Sequence, residues 1–282
     1  MTNPCESQPA SEMPPLMILC GGKGTRLRDV TELLPKPMVP IGEQPIVWHI
    51  MRSYAAFGVK RFILCLGYKR DCIVDYFLNF HAYASDVTVR LGHHHGITYH
   101  DHAVEADWEV TLANTGIDTM TGGRVVSASK HLKDSDTTFF LTYGDAVSDI
   151  DIAASLEFHR RSAKLITVAA VHPEGRFGEI HLREDGRVQR FDEKPMRGKG
   201  HINGGFMVLD RDFVRLYIGT GEDQFFEQAP MRQAIADDQM AAYPHEGFWQ
   251  CMDTPREYQL LNDLWKSGAA PWTVRWQKGV ES

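Results

Sequence analysis

The sequence predicts an α/β fold in which a mostly parallel sheet is flanked by helices and followed by a smaller C-terminal portion. Two apolar runs stop abruptly at glycine, Leu16–Cys20 before Gly21 and Arg61–Leu66 before Gly67, as buried parallel strands do when they open into loops. Strand and helix signals alternate along the first half of the chain. Glycines and acidic residues fall at the carboxyl ends of the expected strands, where open α/β sheets bind their ligands.

In chain order, residues 1–15 are polar and Pro-rich and read as a disordered leader. The Leu16–Cys20 strand is followed by a helix at Pro45–Phe57, whose apolar positions keep helical spacing until Gly58. Arg61–Leu66 is the second strand and Cys72–Phe80 the second helix. Thr137–Tyr143 is a strand ending in Gly144 and Asp145, and a helix at Asp151–Arg161 follows with Asp151 as its N-cap. Lys164–Val171 is again β-branched. Beyond Pro173 the pattern turns to short strands (Gly178–Leu182, Val188–Phe191 and Gly205–Leu209) and then to helices over 212–218, 224–238 and 255–267. No low-complexity linker separates the halves. The expected organisation is therefore one domain over 16–272, a first half over about 16–172 continuous with a substrate-binding portion over about 173–272, and a tail at 273–282.

Thirty Lys and Arg against 37 Asp and Glu give a net charge of −7, which disfavours broad electrostatic attraction to nucleic acid or anionic membrane. No apolar run approaches the roughly 20 residues of a membrane span, and the N-terminus lacks a signal-peptide pattern. Five scattered cysteines without a CxxC pair fit a reducing, cytoplasmic compartment.

Six segments carry chemistry. Gly21-Gly22-Lys23-Gly24-Thr25-Arg26 directly follows a strand; its glycines let backbone amides approach a polyphosphate, and it fits neither a Walker loop nor a dinucleotide fingerprint. Lys36 stands between Pro35 and Pro37, which stiffen the segment that aims its ammonium. Asp145 and Asp253, distant in sequence, could converge on one magnesium ion beside a triphosphate, because Mg2+ favours a few carboxylates plus phosphate oxygens. Glu193 and Lys194, before Pro195, could meet a sugar hydroxyl and a phosphate; Asn203 and Gly204 allow close approach of a small polar ligand. Each segment alone also has a plain structural reading as a turn, a cap or an exposed ion pair. His93–His95, with His100 and His102, reads as a solvated loop and hairpin rather than a metal site.

Taken in order, GGxGTRL, PKPM, YGD, EKP, INGGF and FWQxMDT resemble the sugar-1-phosphate nucleotidyltransferases, and PIVWHIM, LGYK, TMTGGR, GRFG and LWKSGAAPW narrow the likeness to the glucose-1-phosphate cytidylyltransferases, over Leu16 to Trp272. The resemblance implies a Rossmann-like nucleotidyltransferase fold. It implies transfer of cytidylyl from CTP to α-D-glucose 1-phosphate, giving CDP-glucose and pyrophosphate for lipopolysaccharide O-antigen sugars. It further implies Mg2+ dependence and a homo-oligomer, trimeric or hexameric. By position it places Gly21, Gly22, Gly24, Thr25, Arg26, Lys36, Thr121, Gly122 and Arg124 at the nucleotide. Gly178, Glu193, Lys194, Asn203 and Gly204 fall at the sugar phosphate, Asp145 and Asp253 at the metal, and Arg26, Lys36 and Asp145 in catalytic roles.

The residue chemistry is consistent with that reading. In-line phosphoryl transfer between two anions needs positioning and counter-charge more than covalent participation. No GxSxG elbow and no glycosidase-type pair of glutamates is present. Leu34, Asn114 and Ala146 depart from the family pattern, where lysine, aspartate and glycine are common. Two alternatives stay open: the same transfer with another sugar 1-phosphate or with dTTP or UTP, and a catalytically silent sugar-nucleotide sensor.

Overall fold

The computed structural model describes residues 12–22, 34–91, 96–100, 105–173, 179–183, 187–192, 200–220 and 223–276. Its centre is a seven-stranded sheet of β1 (Leu16–Leu19), β2 (Arg61–Leu66), β3 (Glu109–Asn114), β4 (Thr138–Tyr143), β5 (Ile166–Val171), β6 (Ile202–Asp210) and β7 (Met240–His245). The spatial order is β7-β5-β6-β4-β1-β2-β3. Neighbours are parallel except β6, which runs antiparallel to both β5 and β4. The α/β architecture with a mostly parallel sheet is as the sequence predicts.

Seven helices flank the sheet among the described residues: α1 (Ile46–Ala55), α2 (Arg70–Leu78), α3 (Phe80–Ala84), α4 (Thr121–Ser129), α5 (Ile152–Ser162), α6 (Ala229–Ala236) and α7 (Pro255–Lys266). A single helical turn, Arg211–Phe213, continues into a π-turn at Val214–Ile218. Because strand side chains alternate between faces, the sheet divides the core in two. Leu16, Ile18, Leu64 and Phe140 pack toward Ile46 and Ile50 of α1 and Leu156 of α5. Met17, Leu19, Ile63 and Leu141 pack toward Val125 of α4, Phe213 and Met231 of α6. Each fully buried large apolar side chain contributes roughly 1.5–3 kcal/mol, so a sheet covered on both faces is a rigid base for a site on its rim.

Several expected elements shift. The helix expected at Cys72–Phe80 begins at Arg70 and breaks at Asn79. The strand expected at Gly205–Leu209 is longer, because Ile202 and Asn203 ahead of it pair with Val171 and Ala170. The helix expected over 224–238 is confined to Ala229–Ala236, with Pro230 in its first turn. Asp151 caps α5 as expected, accepting from the Ala154 amide at 2.9 Å.

Among the elements beyond the expected set, β3, β7 and α4 each have a local reason. β3 and β7 are the two edge strands, where half-exposed faces dilute the apolar pattern; Pro244 is tolerated in β7 because an edge strand can spare a ladder donor. α4 opens on Thr121-Gly122-Gly123, which reads as a loop by propensity. Gly122 has a packing reason: its amide donates to the Gln224 carbonyl at 2.9 Å, and a Cβ there would meet that oxygen at 2.5 Å.

Candidate active site

β1 and β4 are neighbours, yet the chain leaves β1 toward β2 on one side and returns through β4 on the other. That reversal of winding opens a crevice outside the strands' carboxyl ends. Gly21 and Gly22 leave β1 into it, and Tyr143, Gly144 and Asp145 leave β4, with Leu19 and Tyr143 in register and the Gly144 amide donating to the Leu19 carbonyl at 3.1 Å. The resulting cleft has a volume of about 320 Å³ and is lined by Gly21, Gly22, Lys36, Thr121, Tyr143 and Asp145, among others.

Lys36 begins a one-turn 3-10 helix, Lys36–Met38, entered from Pro35 at φ −67° and ψ 149°. Its ammonium is largely buried, with its side chain 12% exposed, and it donates to Asp145 Oδ2 at 2.6 Å and to Asp253 Oδ1. Burial pushes the Lys36 pKa down, but the charges and hydrogen bonds of Asp145 and Asp253 outweigh it, and the net shift is upward.

Asp253 reaches this point because Trp249–Cys251 pairs antiparallel with Ala146–Ser148, and the Met252 amide donates to the Asp145 carbonyl at 2.8 Å. A capping box at the start of α7 then fixes its backbone: Thr254 Oγ1 accepts from Glu257, and Glu257 Oε2 accepts from the Asp253 and Thr254 amides at 2.7 and 2.9 Å. Two carboxylates 108 positions apart therefore sit within reach of one ammonium. Their all-oxygen donor set, holding a cation between them beside a glycine loop, fits a hard divalent ion completed by phosphate oxygens.

Arg124 lines the same cleft, but its guanidinium is committed to the protein. It donates to the carbonyls of Gly116 (2.7 Å), Ile117 (3.0 Å), Gly21 (3.3 Å) and Leu66 (3.4 Å) and to Thr115 Oγ1 (2.9 Å). Its role in the structure is to tie the loops after β1, β2 and β3 together. Gly21 must be glycine for this to happen, since a Cβ there would lie 2.2 Å from the guanidinium carbon.

Thr121 Oγ1 donates to Glu227 Oε2 at 2.7 Å, and Tyr143 Oη donates to Glu227 Oε1 at 2.5 Å, so one carboxylate braces both cleft walls. Asn203 is exposed and its Oδ1 accepts from the Gly205 amide at 2.9 Å. Gly204 is buried, and its carbonyl accepts from Trp249 Nε1 at 2.7 Å. Gly24, Thr25, Arg26, Gly178, Glu193 and Lys194 lie outside the described residues, as do His93–His95 and His102. His100 Nε2 lies 2.8 Å from Thr88 Oγ1.

Glu227 and Trp249 escape the reading of the sequence as individual site residues. Trp249 stands inside the FWQxMDT run and was within reach of it; no spacing rule marks Glu227, which stands 84 positions from Tyr143.

A switch-point crevice with a glycine loop, a pinned lysine and two convergent aspartates defines a nucleotide-handling transferase. The nucleotidyl transferase family model matches residues 16–258, and the chain belongs to that family. It is 43% identical over 256 residues to the glucose-1-phosphate cytidylyltransferase of Salmonella typhimurium, covering 91% of this chain and 97% of that protein. It is 36% identical over 265 residues to a protein of Bacillus subtilis described as a probable glucose-1-phosphate cytidylyltransferase, covering 92% and 98%. Among solved structures, HddC from Yersinia pseudotuberculosis superposes with a TM-score of 0.63 at 23% identity over 90% of this chain and all of that one, which bears on the fold. No helix of the described residues is long and apolar enough to cross a membrane.

Proposed function

We propose that the protein transfers a cytidylyl group from CTP to α-D-glucose 1-phosphate, releasing pyrophosphate and forming CDP-glucose. The chemistry rests above all on Lys36 standing between Asp145 and Asp253 at the mouth of the glycine-lined cleft. The choice of substrates rests on the 43% identity to the Salmonella enzyme over nearly its whole length.

In the reaction, a phosphate oxygen of glucose 1-phosphate attacks the α-phosphorus of CTP while the bond to the bridging oxygen of pyrophosphate breaks. Both partners are anions, and their approach in a partly desolvated cleft is opposed by about several kcal/mol per charge pair at an effective dielectric near 20. Gly21 and Gly22, which line the cleft, are assigned to the triphosphate, whose oxygens backbone amides there can reach. The Lys36 ammonium, delivered by a Pro-flanked turn, supplies fixed positive charge at the reacting phosphates, and Arg26 is assigned a similar role by its place in the glycine loop. Asp145 and Asp253 would hold Mg2+, which supplies charge neutralisation and orientation of the phosphates. Thr121 and Gly122 border the nucleotide; Gly178, Glu193, Lys194, Asn203 and Gly204 are assigned to the sugar phosphate.

The family resemblance further supports a homo-oligomer, trimeric or hexameric. Large exposed apolar residues on α2, α3 and the Val87–Arg90 and Gly96–Tyr99 hairpin, including Leu78, Tyr83 and Ile97, give it a surface. Four free cysteines among the described residues suit a cytoplasmic location. A matrix of CTP, dTTP and UTP against several sugar 1-phosphates, read by pyrophosphate release, tests the assignment. CTP with glucose 1-phosphate is expected to be the best pair; a different best nucleotide overturns the specificity, and binding without turnover overturns the enzyme reading.

A further inference from the structure

Away from the cleft, on the same rim of the sheet, His172 follows β5, His201 precedes β6 and Glu246 follows β7. The sheet register brings these points together, because Val171 is paired with both Ile202 and His245. One ligand atom from each of the three residues lies within 4.8 Å of the others.

The orientation of the rings is informative. His172 Nδ1 lies 3.1 Å from the Gly200 carbonyl, so that nitrogen carries the proton and donates it, and Nε2 presents its lone pair. Nε2 nevertheless lies 3.4 Å from Glu246 Oε1, and His201 Nε2 approaches the same oxygen at 3.9 Å. A lone pair facing a carboxylate oxygen is repulsive unless a cation lies between them. A proton on His172 Nε2 would relieve that one contact; a divalent cation relieves it and also engages His201, whose ring lies 4.1 Å from that of His172 between centroids, without placing a charge on either imidazole. One divalent cation satisfies all three groups with both rings neutral. The hydrogen bond from Nδ1 to a backbone carbonyl is also the outer contact by which metal-binding histidines are commonly oriented.

We propose that His172, His201 and Glu246 form a second metal site, distinct from Asp145 and Asp253, selective for a borderline transition cation such as Zn2+. Two imidazoles and one carboxylate suit Zn2+ or Co2+ far better than Mg2+, and the exposure of His201 (47%) and Glu246 (56%) leaves outer positions to water. Bound there, the ion ties together the ends of the segment 173–200, which carries Gly178, Glu193 and Lys194, and anchors the start of β6 ahead of Asn203.

The test uses the untagged full chain stripped with a chelator, titrated with Zn2+ by calorimetry and with Co2+ by visible absorption, in excess Mg2+. One equivalent is expected to bind without competition from Mg2+. His172→Ala and His201→Ala should each weaken it by about tenfold or more, since losing a direct ligand costs at least as much as losing a residue that only orients one. The isosteric Glu246→Gln should weaken it as well. Replacing His93, His94 and His95 together by Ala, or Asp145→Asn, should leave it unchanged. Unaltered affinity in both single histidine variants, each checked for an unchanged melting temperature in chelator, overturns the proposal, as does loss of binding in the triple variant alone.

Discussion

The Lys36 ammonium donates to Asp145 Oδ2 at 2.6 Å and also holds Asp253, so one cation bridges an acid from each half of the chain. The lysine neutralises a pair of carboxylates that would otherwise repel. Asp145 and Asp253 would hold a divalent ion, which would supply the same neutralisation, and Lys36 supplies its own positive charge beside the cleft. Lys36→Ala is therefore expected to lower kcat by about 10² or more, as loss of a fixed charge contact in a transition state does, while the fold is retained. Asp145→Asn and Asp253→Asn should cause losses of the same order and raise the Mg2+ concentration needed for half-maximal rate. Steady-state kinetics across a Mg2+ series checks all three; an unchanged kcat removes the residue from the site.

Arg124 makes a different prediction, because its contacts are with the protein. Arg124→Ala would take the guanidinium donors from the carbonyls of Gly116 and Ile117 and leave the buried Gly21 carbonyl with only the Tyr68 amide at 3.4 Å, whereas Leu66 keeps its bonds from Thr115. Each unsatisfied group costs about 1–3 kcal/mol, less where water enters. We expect a clear fall in the urea midpoint together with a raised KM for the nucleotide, since Gly21 loses its anchor. Arg124→Lys should restore little, as a single ammonium cannot reproduce a planar fork that meets five acceptors. A variant with wild-type stability and altered kcat alone would instead assign Arg124 to the chemistry.

Much of this arrangement is legible in the sequence, and what is not has a physical cause. The strand ends at Cys20 and Tyr143 show where the crevice opens, because apolar runs that stop at glycine mark the carboxyl ends of buried strands. That Asp253 meets Asp145 follows from the two short paired strands at Ala146–Ser148 and Trp249–Cys251, three residues each and too brief to carry a periodic signal. The diversion of the Arg124 guanidinium to carbonyls is equally hidden, since backbone acceptors leave no mark in a sequence. Glu227 is invisible for the related reason that its partners, Thr121 and Tyr143, come from other elements.

Gly205 sits in β6 with φ of +77°, and a Cβ there would lie 2.4 Å from the Tyr143 ring. Gly205→Ala combines the cost of a positive φ, about 1–2 kcal/mol for a residue with a side chain, with displacement of Tyr143 from Glu227. Both stability and turnover are expected to fall. Tyr143→Phe removes only the hydroxyl and separates the two effects: if the contact to Glu227 matters for the cleft wall, this variant loses activity with a smaller change in melting temperature than Gly205→Ala.

The pH dependence of stability should carry the signature of His49. This ring is buried in α1 among Trp48, Trp265, Trp272 and Trp276. Burial pulls its pKa down to about 4, against partial opposition from the backbone of Ile41 and Gln44. Its neutral form is satisfied: Nε2 donates to the Ile41 carbonyl at 2.9 Å and Nδ1 accepts from Trp272 Nε1 at 3.3 Å. A second proton would have to enter on Nδ1, facing an indole N–H that cannot accept it. The native state therefore resists protonation while the unfolded chain takes up a proton near pH 6.5, so this contribution to stability is complete above pH 6.5, is lost as the pH falls toward 4, and levels off below. A difference of about 2.5 pKa units corresponds to about 3 kcal/mol, of which most is lost by pH 4.5. Urea unfolding of wild type and His49→Gln at pH 7.5 and pH 4.5 isolates it: the variant is expected to be less stable at pH 7.5, and its deficit should shrink by about 2–3 kcal/mol at pH 4.5. A deficit that stays constant with pH would mean that His49 is protonated in the native protein at the same pH as in the unfolded chain.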